Sequence, residues 1–266
     1  MPEAMTGPVL RHTSLPIDML LAGEVQRLLF PKDLPSCEWC RVGVKNRMAT
    51  VLGGDFFDFI PLEDGCQMIL IGDATGHGLH ASIVMSLVYG YLHRAVKGVC
   101  NPLATVADLN RFLRSFARRS ARYDHFFSAT LFFGVINPSN LVMRYVSAGH
   151  PTGMLRRGTT LARLTPTGHP LGYFDQPDLE EKSFQLLHGD RLLLYTDGLI
   201  DGLSPAGEVF GTRRLEQLVM GMDGDHMEFL EDLFSAVHEH LDVQPLLDDC
   251  TTIVLDLKSR ATASQY

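Results

Sequence analysis

Apolar residues follow two rhythms along this chain, and acidic residues collect where one rhythm gives way to the other. Over 17–30 (IDMLLAGEVQRLLF), Ile17, Leu20, Leu21, Val25, Leu28 and Leu29 recur at helical spacing, which predicts an amphipathic helix stopped by Pro31. Residues 37–60 read as strands, including 49–52 and 56–60, and Glu63-Asp64-Gly65 reads as a turn. Met68, Ile69, Leu70 and Ile71 form a short continuous apolar run, as in a strand buried on both faces. It ends in the glycine-rich GDATGHG, after which helical spacing resumes over 79–96. Asn101-Pro102 supplies a cap and a first-turn proline for a helix reaching about residue 120. Strands are predicted over 126–136, 141–147, 153–156, 161–164, 182–186 and 191–195, helices over 211–220 and 226–241, and a last strand over 251–257. With no internal repeat and no Pro/Ser-rich linker, this order predicts an α+β domain, a β-sandwich flanked by helices, over 34–260. An N-terminal arm and helix precede it over 1–33 as a regulatory or dimerisation element.

Composition narrows the class. Of 266 residues, 45% are hydrophobic, enough for a sizeable core, yet no apolar run approaches a membrane span. The N-terminus lacks the ordered regions of a signal peptide, so a soluble, cytoplasmic protein is expected, with no membrane partner. The net charge of −8 argues against a nucleic-acid partner. The first helix can pack on its own domain or on a second copy as a homodimer, and is too short for a coiled coil. Five scattered cysteines argue against a disulfide framework. Cys37-Glu-Trp-Cys40 has the spacing of a redox or zinc pair, but no second pair follows. The two are read as reduced thiols with no assigned chemistry. The basic residues Arg111, Arg114 and Arg118 are read as a solvated face.

The candidate chemistry lies in the acids. Asp73 ends the apolar run 68–71, where a carboxylate suits a divalent cation or, alternatively, a helix N-cap. Asp55 and Asp58 sit in Gly53-Gly54-Asp55-Phe56-Phe57-Asp58, beside glycines that admit close approach. Asp197 ends a second apolar run (LLLYTDG), and Asp248-Asp249 stand at the entry to the last strand. Four carboxylate sites at strand ends can meet at one end of a sandwich. Oxygen-only ligands point to Mg²⁺ or Mn²⁺ rather than zinc, and a pair of such ions can activate water for in-line attack on a phosphoryl group. His150, in Ser147-Ala148-Gly149-His150-Pro151, is either an acid or phosphate contact or a histidine bonded within a turn.

GGDFFD (53–58), GDATGHG (72–78), SAGHP (147–151), YTDG (195–198) and DDCT (248–251) occur in the order of a known family. Over 20–258 the chain resembles the SpoIIE/RsbU-like serine phosphatases of the metal-dependent, type 2C (PPM) superfamily. The resemblance implies a four-layer α-β-β-α sandwich with two Mn²⁺ or Mg²⁺ ions per active site, hydrolysing phosphoserine or phosphothreonine. It implies Asp55 and Asp73 as metal ligands, Asp73 bridging both ions, with the Ala74 carbonyl completing one shell. It implies Asp197 and Asp249 on the other ion, Asp58 and Asp248 as secondary candidates, and structural roles for His77 and His150. Asp73 and Asp197 are thereby the expected catalytic carboxylates. Asp201 stands where many relatives carry glutamate. The implied substrate is a phosphorylated protein such as a STAS-domain anti-sigma-factor antagonist, under control of the N-terminal helix or a partner in trans. Two rival readings are a catalytically silent binding module and a GGDEF-like nucleotide cyclase, the latter weakened by Phe56 at an acidic position of that signature.

Overall fold

The computed structural model describes residues 15–96 and 101–258. The expected arm over 1–14, Cys100 and the last two residues of the expected 34–260 domain lie outside the described residues. Among the described residues, ten strands form two antiparallel sheets. One carries β1 (Cys40–Arg47), β10 (Cys250–Leu257), β9 (Arg191–Tyr195), β6 (Gly153–Arg157) and β7 (Thr160–Leu164), in that spatial order. The other carries β2 (Asp55–Pro61), β3 (Gln67–Ala74), β4 (Ala129–Asn137), β5 (Val142–Ala148) and β8 (Lys182–Gln185). Helices α2 (Leu79–Ala95) and α3 (Pro102–Ala117) cover the β2–β8 sheet, and α4 (Gly211–Gly221) and α5 (His226–Leu241) cover the β1–β7 sheet. The result is the α-β-β-α sandwich that the motif resemblance implied.

Side-chain alternation builds the layers. Met68 and Leu70 of β3 pack under α2 and α3, while Ile69 and Ile71 face the opposite sheet. Burial on both faces is why this strand reads as a continuous apolar run. In β9, Leu192 and Leu194 face between the sheets while Leu193 and Tyr195 meet α4 and α5. In β10, Ile253, Leu255 and Leu257 face inward, and Cys250 and Val254 face the helices. Each such buried aliphatic side chain contributes roughly 1.5–3 kcal/mol. Local signals close the helix ends: Asn101 caps α3 through its side chain, and Asp225 with Glu228 forms a capping box on α5.

Three sequence expectations need correction. Residues 49–52 form a bent loop, not a strand, because its backbone is drawn to a distant carboxylate described below. The strand expected from 126 begins at Ala129, since Asp124–Phe126 closes a tight helical turn in which Ser128 Oγ donates to the His125 carbonyl. The first helix, α1 (Leu15–Arg27), ends before Pro31, as Leu28 and Leu29 tighten the last turn and Phe30 stacks on Phe57. Its apolar positions also lie outward: Ile17, Leu20, Leu21, Val25 and Leu28 are 55–65% exposed, while Gly23 and Gln26 face the sandwich. Among the described residues, no helix is long and apolar enough to cross a membrane.

Candidate active site

Strand register brings the acids together. Asp55, at the start of β2, pairs directly across from Asp73, near the end of β3, and both therefore point between the sheets. Counting along the strands from their inward-facing leucines and isoleucines, Thr196 beyond β9 and Thr251 in β10 take the same inward side. These hydroxyls meet the Asp55 carboxylate: Thr196 Oγ1 donates to Oδ2 at 2.8 Å and Thr251 Oγ1 donates to the same oxygen at 2.6 Å. One carboxylate of one sheet is thus held by two threonines of the other. Asp197 opens the short helical turn Asp197–Leu199 directly after Thr196, and Asp248-Asp249 directly precede β10.

The loop 48–54 is organised around Asp249. Its Oδ1 accepts from the Ala49 N–H and its Oδ2 from the Gly54 N–H, both at 2.8 Å. A side chain at residue 53 is excluded, because its Cβ would stand 2.0 Å from Asp249 Oδ2. At residue 54 a Cβ would stand 2.6 Å from the Ala74 carbonyl oxygen and 2.7 Å from Asp73 Oδ1. The absence of a side chain at Gly54 therefore lets both oxygens pack against its backbone. Asp73 Oδ1 is buried and has no hydrogen-bond partner. The helix-cap alternative for Asp73 falls, since α2 starts after Gly78 with no side-chain cap. Gly76 and Gly78 adopt positive φ, 87° and 76°, which accounts for the glycines of GDATGHG.

The carboxylates raise one another's proton affinity. Burial, then the charges of Asp55, Asp197, Asp248 and Asp249, pushes Asp73 up to about 10. Burial also holds Asp55 well above the carboxylate range, against its threonine hydrogen bonds. Asp197 is raised by burial and then by Asp248 and Asp201, and Asp249 is raised chiefly by burial. Among the described residues, no three acidic, histidine or cysteine side chains close on one point as a ready-made ligand shell. The acids feel one another's charge without enclosing a common centre. A divalent cation fits this donor set: hard oxygens, an orphaned carboxylate oxygen beside a backbone carbonyl, and repulsion that a positive charge would relieve.

The other candidates go elsewhere. Asp58, three residues after Asp55, projects to the opposite face and accepts from Tyr89 Oη and bonds His93 Nε2, both at 2.6 Å, anchoring α2. His150 is buried, with Nδ1 3.1 Å from Thr130 Oγ1, and burial lowers it to about 3, so it stands neutral in the layer beside Asp73. Asp201 is exposed one turn after Asp197, with its N–H on the Asp197 carbonyl, and His77 is exposed in the turn before α2. Phe56 is wholly buried beneath the helices, which removes the cyclase reading. Sequence reasoning missed Thr196, Thr251 and Gln26. Gln26 Nε2 donates to the Gly53 carbonyl at 2.7 Å and its Oε1 accepts from the Gly53 N–H at 3.1 Å. A glutamine on the polar side of a surface helix carries no local sign of such a contact.

Comparison with known proteins places the chain in a family and supports its fold. The family model described as Stage II sporulation protein E (SpoIIE) matches residues 63–258. The chain belongs to the SpoIIE family. This SpoIIE-family chain is 29% identical over 256 residues to protein IcfG of Synechocystis, covering 87% of the chain and 40% of IcfG. It is 24% identical to the phosphoserine phosphatase RsbU of Bacillus subtilis, covering 90% of the chain and 69% of RsbU. Its fold matches the SiaA-PP2C domain of Pseudomonas aeruginosa with a TM-score of 0.81 at 18% identity, over 94% of the chain and all of that domain. The SpoIIE-family chain thus spans less than half the length of IcfG.

Proposed function

We propose that this chain is a metal-dependent protein serine/threonine phosphatase. The observation that carries the reading is Asp73 Oδ1, buried and unpartnered among four further carboxylates, with the Ala74 carbonyl packed beside it against Gly54. Asp55, Asp73, Asp197 and the Ala74 carbonyl are the residues that would hold two Mn²⁺ or Mg²⁺ ions. Of the Asp248-Asp249 pair, we assign the ligand role to Asp248. Both Asp249 oxygens already accept backbone N–H groups and shape the 48–54 loop, whereas the Asp248 charge acts first among neighbours on Asp197. Such ions, when bound, polarise water and neutralise the phosphoryl oxygens of a phosphomonoester.

The protein's own part is to hold the donors in place, while a bound cation would favour their ionised form against burial and mutual repulsion. Thr196 and Thr251 fix the Asp55 carboxylate, and hydrogen bonds to the charged form favour it. The GG pair keeps side chains out of the space between Asp73 and Asp249. His150, neutral and buried, bonds Thr130, which pairs with Asp73 across the strands. The substrate we infer is a phosphorylated signalling protein of the STAS anti-sigma-factor-antagonist type, in keeping with the phosphoserine phosphatase name of RsbU.

The N-terminal helix is the natural control element in this reading, since Gln26 grips the GGD loop while five apolar residues face outward. A second copy of the chain covering Ile17, Leu21 and Val25 would make a dimer whose contact reaches the site through Gln26. Sedimentation of wild type against Leu21→Glu tests the dimer: wild type sediments as a dimer and the variant as a monomer, and two monomers would refute it. A silent binding module is the second reading, favoured by Asp249 and Asp55 being satisfied within the protein. Calorimetric titration with Mn²⁺ separates the two, since a silent module has no need of the ion.

A further inference from the structure

Two cysteines at the root of β1 are left without a task by the phosphatase reading. Cys37 is half-buried in the segment joining α1 to the sandwich, and Cys40 opens β1 and is 2% exposed. The backbone bends at Glu38 and Trp39 between them, and each thiol shifts the acidity of the other. Lys258, just past β10, closes the arrangement. Its backbone N–H donates to the Trp39 carbonyl at 2.9 Å, and its ammonium donates to the Cys37 carbonyl at 2.5 Å. A cation bonded to the backbone of a part-exposed cysteine, with a buried cysteine three residues on across a bend, suits an attacking and a resolving cysteine.

The acidity of the thiols follows the same division. The hydrogen bond from Cys40, with help from the Lys258 charge and against burial, lowers Cys37 to about 7. The same bond and burial push Cys40 far up, so it stays protonated. Cys66 and Cys250 are both raised, chiefly by burial, and lack this activation.

We propose that Cys37 and Cys40 are a reversible dithiol switch, oxidised by hydroperoxides to an intrachain disulfide. The Cys37 thiolate attacks a peroxide oxygen, breaking the O–O bond to give a sulfenic acid and an alcohol or water. The Cys40 sulfur then attacks the Cys37 sulfur, the S–O bond breaks, and the departing hydroxide takes the Cys40 proton as water. Two thiols lose two electrons and the peroxide gains them. A dithiol reductant returns the pair by thiol–disulfide exchange. The switch is remote from the acids: Cys40 pairs with Leu257 at one end of β1, and Arg47 pairs with Cys250 beside Asp249 at the other. What it alters is the junction between α1 and the sandwich, so its test does not depend on phosphatase activity.

The experiment exposes the wild-type chain to hydrogen peroxide, alkylates it with iodoacetamide, and maps cysteines by mass spectrometry. The expected peptide spanning Cys37 and Cys40 is two hydrogens lighter and unalkylated, and recovers both labels after dithiothreitol. Without peroxide and near neutral pH, Cys37 should alkylate roughly tenfold faster than Cys66. In Cys40→Ser the sulfenic acid should persist and be trapped by dimedone at Cys37. Full alkylation of both cysteines after peroxide would overturn the proposal, as would a disulfide between chains or oxidation of Cys37 no faster than Cys66.

Discussion

Gln26 of the N-terminal helix clamps Gly53 by both backbone groups, 2.7 Å from its carbonyl and 3.1 Å from its N–H. Gly53 lies two residues before Asp55, so the helix is bonded directly to the loop that shapes the carboxylate site. A truncated side chain would strand a buried N–H and carbonyl, at roughly 1–3 kcal/mol each. Gln26→Ala should lower the melting temperature by roughly 4–24 °C, taking about 2–4 °C per kcal/mol for a domain of this size. Its metal-dependent turnover should fall further than that of an equally destabilised surface variant. Melting curves and phosphatase assays check both, and unchanged turnover would remove α1 from control of the site.

Asp55 depends on two hydroxyls from the opposite sheet. Hydrogen bonds to a charged group contribute about 1.5–3 kcal/mol. Thr251→Val keeps the shape and removes the 2.6 Å bond, leaving the buried carboxylate less stable in its charged form. Loss of such an orienting partner weakens metal binding by roughly 10–100-fold. Calorimetric Mn²⁺ titration should show that drop, with Thr196→Val behaving alike because its hydroxyl meets the same oxygen.

Asp248 and Asp249 should separate on mutation. Asp249→Asn leaves only one oxygen for the Ala49 and Gly54 N–H groups it now holds, so it should destabilise the fold by roughly 1–3 kcal/mol. Asp248→Asn removes a charge near Asp197 and Asp73, so it should leave the melting temperature in EDTA unchanged or raised. Metal affinity should fall chiefly in the Asp248 variant, as read by calorimetry beside thermal melts.

Asp73 also sets a pH dependence. Its affinity for a proton is raised to about 10, so the folded chain retains a proton that the unfolded chain has released. The stability tied to that proton is complete below about pH 4, the unfolded aspartate range, and is lost as pH rises toward the folded value. In EDTA, Asp73→Asn should therefore melt higher than wild type, and the gap should widen from about pH 5 to about pH 8. Saturating Mn²⁺ at about 100 times its dissociation constant should stabilise wild type by roughly 2.7 kcal/mol and the variant by far less.

Much of this was written locally in the chain. The doubly buried β3 shows as an unbroken apolar run, and Asn101-Pro102 and the Asp225/Glu228 box mark their helix starts. That Asp58 would leave the site also follows from strand alternation, since three residues from Asp55 is the opposite face. What was not legible came from distant partners. Residues 49–52 have strand-forming side chains, but Asp249, two hundred positions away, captures the Ala49 N–H and bends the loop. Helix α1 shows its amphipathic stripe, yet the contact that seats it is made by Gln26 and Gly23, leaving the stripe outward. Asp248 and Asp249 look alike in the sequence, and only the folded chain shows that the Ala49 and Gly54 N–H groups reach Asp249.

The most direct test of the central claim is hydrolysis of p-nitrophenyl phosphate and of a phosphoserine peptide by wild type and Asp73→Asn, with Mn²⁺ and with EDTA. The account predicts turnover by wild type with Mn²⁺, abolished by EDTA and reduced at least about a hundredfold in the variant, comparable to losing a metal-orienting group. Turnover that survives EDTA, or Asp73→Asn as active as wild type, would contradict it.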